Sequence, residues 1–261
     1  SDAEKAAMVA EGLDPAAATR TGQMPAVATA APKAAEWPPE PYPEVQPTNE
    51  GEPEAAEADD ITLRFNGKRC IHARHCVLGA PDVFLANVKG PWLHPETSSA
   101  ARIAEIAHVC PSGAITYTRK DGVEDEQPPQ VNTIRIRENG PLAVHARLEL
   151  GDRPEMTRAT LCRCGFSKNK PYCDSAHHRV NFMATGEPIT EASEPLEVRG
   201  GKLSIRPLEN GPLVMEGNVE ILAGTGRTVN RTVSAKLCRC GGSQNKPYCD
   251  NTHTRNGFRG P

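Results

Sequence analysis

Aromatic residues make up only 4% of this 261-residue chain, and apolar residues as a whole reach 38%. Large hydrophobic cores are not expected from such material, and small domains with poor cores often rely on bound metal for stability. No run of about 18 apolar residues occurs, so no transmembrane helix is expected. No positively charged start leads into an apolar stretch, so no secretory signal is expected. A Ser–His–Asp set, a P-loop and a G-x-G-x-x-G fingerprint are all missing, so a catalyst of those kinds is not expected. The nine cysteines all fall into metal-type spacings, which leaves none for a disulfide framework. That favours a reducing compartment, with a cytoplasmic location as the expectation and an organelle not excluded.

What the chain does have is one metal-ligand pattern written twice. Cys162, Cys164, Cys173 and His177 recur with identical spacing as Cys238, Cys240, Cys249 and His253. Much of the filling repeats as well: Arg163 and Gly165 match Arg239 and Gly241, and Asn169-Lys170-Pro171-Tyr172 matches Asn245-Lys246-Pro247-Tyr248. Three thiols and one imidazole make a four-ligand site. Cys173 and His177 stand four apart, so on a short helix they share one face. Asp174 and Asp250 stand where that helix begins, the position of a cap. Taken alone, the residues also suit a tetrahedral zinc site or buried thiols.

Read in full, the pattern is C-x-C-x2-S-x3-P-x-C-D-x2-H, with Ser167, Pro171, Ser243 and Pro247 in place. It resembles the CDGSH iron–sulfur family. The resemblance implies a [2Fe–2S] cluster at each site, with Cys162 and Cys164 on one iron and Cys173 and His177 on the other. Cys238, Cys240, Cys249 and His253 take the same roles in the second copy. The family's Gly after the Asp is Ser175 in one copy and Asn251 in the other. If that position needs a positive φ, Asn tolerates it better than Ser, and the first site is the more strained.

A second constellation consists of Cys70, Cys76 and the Cys110-Pro111 pair. Bacterial ferredoxins use C-x2-C-x2-C with a distant C-P, and here the middle position is Ala73. Residues 61–118 resemble single-cluster ferredoxins holding [3Fe–4S], and divergent ferredoxin domains fused to CDGSH motifs. Three thiols make a [3Fe–4S] cluster the simple outcome. A [4Fe–4S] cluster needs a fourth ligand from His72, His75 or water, and three unmetallated cysteines are the plain alternative. His94, His108, His145 and His178 have no partner at ligand spacing and read as surface or packing residues. Lys168, Lys170 and Lys246 lie in the metal loops, as solvated residues or as charges offsetting a thiolate-bound cluster.

The organisation expected is a tail at 1–60, a small α+β unit at 61–120, a linker at 121–130 and a repeat domain at 131–261. The tail holds 16 Ala, 9 Pro and a net charge of −10, against +7 for the remainder. Attraction between the two predicts that the region around 37–45 lies along the folded body or on a partner chain. Ile61, Leu63 and Phe65 alternate as a strand, and Ser98 or Ser99 caps a helix reaching about Cys110. Its apolar face is Ile103, Ile106, Ala107 and Cys110, and Ile115 and Tyr117 suggest a closing strand. In the repeat domain Asn139-Gly140-Pro141-Leu142 recurs as Asn210-Gly211-Pro212-Leu213, with strands at 133–137, 142–148, 203–206 and 213–216. The offset grows from 71 there to 76 at the cysteines, placing five extra residues around 223–227 of the second copy.

The fold class expected is therefore α+β, a ferredoxin-like domain followed by a β-rich tandem CDGSH pseudo-dimer. The function expected is multi-cluster electron transfer with redox partner proteins, a reductase or an acceptor. Nucleic acid is not an expected partner, and a larger complex contacted by the tail is a possible one. Cluster storage or transfer, pH or redox sensing, and an auxiliary role in such a complex are the competing readings.

Overall fold

The computed structural model describes residues 37–44 and 51–261, and the fold is mixed α+β and rich in strands. Expectations for residues 1–36 and 45–50 lie outside the described residues. No helix among those described is long and apolar enough to cross a membrane.

Strands β1 (Glu54–Glu57), β2 (Ile61–Phe65) and β3 (Ile115–Arg119) form an antiparallel sheet in that order. Ile61 and Leu63 of β2 and Ile115 and Tyr117 of β3 are buried, as their alternation predicts. Helix α1 (His75–Gly79) is short; α2 (Ala100–His108) lays Ile103, Ile106 and Ala107 into the same core. Ser99 caps α2, its Oγ accepting from the Arg102 amide at 3.3 Å. The boundary at residue 60 is overrun, because β1 pairs with β2 from Glu54 opposite Phe65 to Glu57 opposite Thr62. Its Glu-Ala-Ala-Glu sequence holds no β-branched or aromatic residue to announce a strand.

A second, six-stranded sheet takes its members from both repeats. The first supplies β4 (Thr133–Ile136), β5 (Leu142–Leu150) and β6 (Met156–Leu161). The second supplies β7 (Lys202–Pro207), β8 (Leu213–Leu222) and β9 (Thr228–Leu237). Within each repeat neighbouring strands are antiparallel. Between repeats the pairing is parallel and reciprocal: β4 runs along β8, and β7 along β5. One core of inward residues, including Ile134, Val144, Leu148, Leu203, Met215 and Ile221, serves both repeats. The five extra residues lengthen the second hairpin, where β9 has 10 residues against 6 in β6.

The segment expected as a linker is irregular in structure but pinned at Glu126. Arg158 of β6 is buried, pairs with Glu126 at 2.5 Å, and donates to the carbonyls of Ala107, Cys110 and Ile115. Burial opposes ionisation of Glu126, and the guanidinium outweighs it and holds the carboxyl below its usual range. Arg69 returns the contact, donating to the Arg158 carbonyl at 2.6 Å. One buried arginine thus ties the three-stranded sheet and α2 to the six-stranded sheet. Removing one partner of a buried pair strands the other charge, so Arg158→Ala is expected to cost about 3–5 kcal/mol in urea unfolding. A loss under about 1 kcal/mol, the scale of a surface pair, is the result that would remove Arg158 from this role.

Candidate metal centres

Each strand that ends a repeat's hairpin runs straight into its metal loop. After β6 the Cys162 amide donates to the Pro171 carbonyl at 2.8 Å, and the Cys173 amide to Thr160 at 2.9 Å. After β9, Cys238 and Cys249 repeat both bonds, to Pro247 and Lys236, at 2.8 Å each. The loop between is closed by Ser167, whose hydroxyl donates to the Tyr172 carbonyl at 2.6 Å and accepts from the Asn169 amide at 3.0 Å. Ser243 does the same in the second copy. Cys173 and Asp174 both precede α3 (Ala176–Arg179), whose N-cap is the left-handed Ser175, so the shared helical face and the Asp cap expected from the sequence are not formed; Asp174 instead braces the turn, one oxygen accepting from the Ala176 amide and the other from the Lys168 amide. Asp250 does likewise for the 3-10 turn Thr252–Thr254. The residue after each Asp is left-handed, with φ +66 at both Ser175 and Asn251. The glycine position of the pattern does require that angle, so Ser175 sits where an L side chain is strained.

The side chains come together as two pairs per site. The Cys162 and Cys164 sulfurs are 3.8 Å apart, and the Cys173 sulfur lies 3.4 Å from His177 Nδ1. The second site repeats 3.8 Å and 3.4 Å. Two thiolates on one tetrahedral metal at about 2.3 Å stand about 3.8 Å apart, and a thiolate–imidazole pair about 3.5 Å apart. Each pair therefore has the bite of one metal ion. Among the described residues no three His, Cys, Asp or Glu side chains are gathered to hold a single ion. Backbone amides of Gly165, Phe166 and Ser175 point at the three sulfurs of the first site, at 3.3–3.5 Å. Within the first pair, the hydrogen bond from Cys164 draws Cys162 down to about 6 despite burial, with Lys170 helping. Lys170 is buried, not solvated, and its Nζ donates to the Ser167 carbonyl at 2.8 Å.

The two C-x-C loops lie back to back. A Cβ on Gly165 would stand 2.9 Å from the Cys240 carbonyl oxygen, and one on Gly241 would stand 2.6 Å from that of Cys164. Only glycine permits this approach. Arg163 and Arg239, each 1% exposed, fill the space beside the loops. Arg163 donates to the carbonyls of Gly140, Thr185, Arg137 and Ala184. Arg239 donates to those of Gly211, Leu208 and Pro261. Burial lowers each guanidinium to about 10; the largest opposing influence is the thiol of the other site, Cys238 on Arg163 and Cys162 on Arg239.

Residues 37–44 strap this seam, as the reading of 37–45 predicts for its described part. Trp37 packs edge-on to Phe166 and Phe182, and Tyr42 sits between Phe166 and Phe258. Trp37 Nε1 donates to the Cys240 carbonyl at 3.1 Å, the Tyr42 hydroxyl donates to the same oxygen, and Glu40 pairs with Arg179.

Cys70, Cys76 and Cys110 line one cavity of about 570 Å³, together with His72, His75 and Ser112. Burial raises the Cys70 and Cys76 thiols, and the neighbouring Cys110 thiol adds to the effect in both. The loop before this cavity docks on the first metal loop. Asn169 donates to the Lys68 carbonyl at 2.8 Å, Ser175 Oγ donates to the Ile71 carbonyl at 3.3 Å, and Arg69 lies over the Tyr172 ring. Of the remaining histidines, His94 pairs with Glu96, His108 bonds the Tyr117 hydroxyl, and His178 stacks on His177 at 4.1 Å. Sequence reasoning missed Arg163 and Arg239 as buried residues; their signal was the identical Arg inside both C-x-C pairs.

Thiol pairs at metal bite, repeated on two loops beside a three-cysteine cavity, define a metal-binding protein. Residues 139–178 and 210–254 match the family described as iron-binding zinc finger CDGSH type, and residues 56–120 match divergent 4Fe-4S mono-cluster. The chain is similar to CDGSH iron-sulfur domain-containing protein 1 of Mus musculus, 33% identical over 101 residues, covering 36% of this chain and 87% of that protein. It is also 34% identical over 62 residues to uncharacterized protein YjdI of Escherichia coli K12, covering 24% of this chain and 80% of that one. No solved structure matches. The chain belongs to the CDGSH iron–sulfur family and carries a divergent 4Fe-4S mono-cluster domain ahead of its two CDGSH motifs.

His177 is held down at about 4, by burial first and then by the charge of His178. Free histidine titrates at about 6.5, so stability from the neutral ring is complete above that value and is lost as pH falls toward about 4. Metal binding needs that neutral ring. Retention of visible absorbance is expected to decline across this window, and His177→Cys to decline less steeply. Identical pH profiles for the two proteins would overturn the part assigned to His177.

Proposed function

We propose that this protein is a multi-cluster electron carrier. The observation that carries the reading is contiguity: three thiol-lined sites sit on loops that touch one another in series, from Cys70/Cys76/Cys110 through the first CDGSH loop to the second. Cys162, Cys164, Cys173 and His177 hold one [2Fe–2S] cluster, and Cys238, Cys240, Cys249 and His253 a second. Cys70, Cys76 and Cys110 hold a third cluster, [4Fe–4S] as the matched family's description names it, with His72, His75 or water completing it, or [3Fe–4S] on three thiols alone. The clusters supply one-electron chemistry. The chain's own residues bind them, exclude water and set their potentials through burial, amide donors and the buried Lys170, Arg163 and Arg239.

The reciprocal pairing of β4 with β8 and of β7 with β5 supports a pseudo-dimer of two CDGSH units within one chain. The three-stranded sheet and α2 serve as its ferredoxin-like partner. Redox proteins acting in a reducing compartment, a reductase or an acceptor, are the partners this reading needs. A second reading, release of a cluster to an acceptor, is favoured at the second site alone, where Cys249 and His253 are only partly buried while Cys173 and His177 are buried.

Two clusters of two irons and one cubane predict about eight irons per chain, or about seven with a three-iron third site. Iron and sulfide analysis on anaerobically prepared protein checks this, and stoichiometric zinc without visible absorbance would sink the reading. Fast, reversible reduction by a flavin reductase is the result expected of a carrier. Quantitative handover of cluster to an apo-acceptor, with slow reduction, would favour release instead.

A further inference from the structure

We propose that Ser175 is a bridging residue that couples the Cys70/Cys76/Cys110 centre to the first CDGSH centre and not to the second. The inference rests on the electron-carrier reading above. Ser175 replaces the glycine of the family pattern and holds φ at +66, where a serine is strained. Its hydroxyl makes a contact that glycine cannot.

Three hydrogen bonds run in line between the two centres. The Ser175 amide donates to the Cys173 sulfur at 3.4 Å. The Ser175 hydroxyl donates to the Ile71 carbonyl at 3.3 Å. The other end of that same peptide unit, the His72 amide, donates to the Cys70 sulfur at 3.3 Å. One side chain and one peptide unit therefore span the distance from thiol to thiol. A hydroxyl donating to a peptide oxygen polarises the unit and strengthens its N–H as a donor, so Ser175 acts on Cys70 as well as on Cys173.

The second site lacks the bridge despite an identical ligand pattern. Asn251 has the same φ, and its amide donates to the Cys249 sulfur at 3.4 Å. Among the described residues its exposed side chain makes no hydrogen bond. Asn169, which anchors the first loop to Lys68, is matched by Asn245, whose side chain likewise makes none among the described residues. The docking that brings the cavity loop to a CDGSH loop is built for the first copy alone.

With clusters bound, Cys70, Cys76 and Cys110 would hold the donor of one electron and Cys162, Cys164, Cys173 and His177 its acceptor, the first being oxidised as the second is reduced. No bond breaks and no proton is required. An N–H donor to a ligand sulfur stabilises the extra negative charge of a reduced centre and raises its potential.

The test uses the full-length holoprotein as wild type, Ser175→Gly and Ser175→Ala. Both variants lose the hydroxyl, but only glycine relieves the positive φ, so a shared effect belongs to the hydroxyl and a divergent one to the backbone. Anaerobic potentiometric titration with dithionite, followed by electron paramagnetic resonance, reads each centre; the second CDGSH centre is the internal control. Both variants are expected to shift the electron distribution away from the Cys70/Cys76/Cys110 centre by about threefold, about 28 mV for one electron. Electron exchange between that centre and the first CDGSH centre is expected to slow after a sub-stoichiometric pulse of reductant. Unchanged potential and exchange rate in both variants, at wild-type iron and sulfide content, overturn the bridge while leaving the carrier reading intact. A shift in one variant alone traces to the backbone and also overturns the bridge. A wild type without clusters overturns both.

Discussion

Two buried guanidinium groups with thiols as their principal negative neighbours set the geometry of the repeat domain. Taking an ion out of water costs several kcal/mol, and hydrogen bonds to a charged group return about 1.5–3 kcal/mol each. Arg163 finds four carbonyl acceptors and Arg239 three, so both loops must be held where those oxygens converge. The repeated Asn-Gly-Pro-Leu turn exists for this purpose: Gly140 and Gly211 present the carbonyls that accept from the two Nε atoms. Asn139 and Asn210 hold those turns in left-handed conformation and accept, through their side chains, from the Ala184 and Gly260 amides. The two recurring features of the repeat, the turn and the C-R-C pair, are thus two halves of one lock.

From that lock follows the seam between the two metal loops. Each arginine feels the other loop's thiol most strongly among negative groups, so the two loops are linked by charge as well as by backbone contact. Gly165 and Gly241 allow the backbones to touch, and Trp37 and Tyr42 cover the line of contact with aromatic surface and two hydrogen bonds to one carbonyl. Water is kept from the thiols by a segment more than a hundred residues distant in the chain.

Identical motifs have become inequivalent sites. Four side chains with the same spacing and the same pairwise distances lie in a sealed environment in one copy and a more open one in the other. The difference comes from what is docked against each loop: Lys68, Arg69 and Ile71 meet the first, while the corresponding positions of the second are exposed or half-buried. A distinction between two sites with one ligand set is therefore built by neighbours rather than by ligands.

The ligand pattern, its two-fold repetition and α2 with its Ser99 cap were all legible from residue order, because each depends on neighbours a few positions apart. An apolar face at i, i+3 and i+4 is decided by backbone geometry alone. Strand β6 was not legible, because Arg158, Ala159, Thr160 and Leu161 are buried in succession, whereas β9 was passed over although Val229, Val233, Ala235 and Leu237 stand on alternate positions, broken only by Arg231. Nor did Glu54–Glu57 look like a strand, since its pairing with β2 supplies what its propensity lacks. Which loops meet was decided only by the tertiary structure. Asn169 reaches Lys68 across 101 positions and Trp37 reaches Cys240 across 203. No local pattern encodes such a contact; it depends on burial, on which backbone oxygens are left without partners, and on the shape of the surface that the rest of the chain presents.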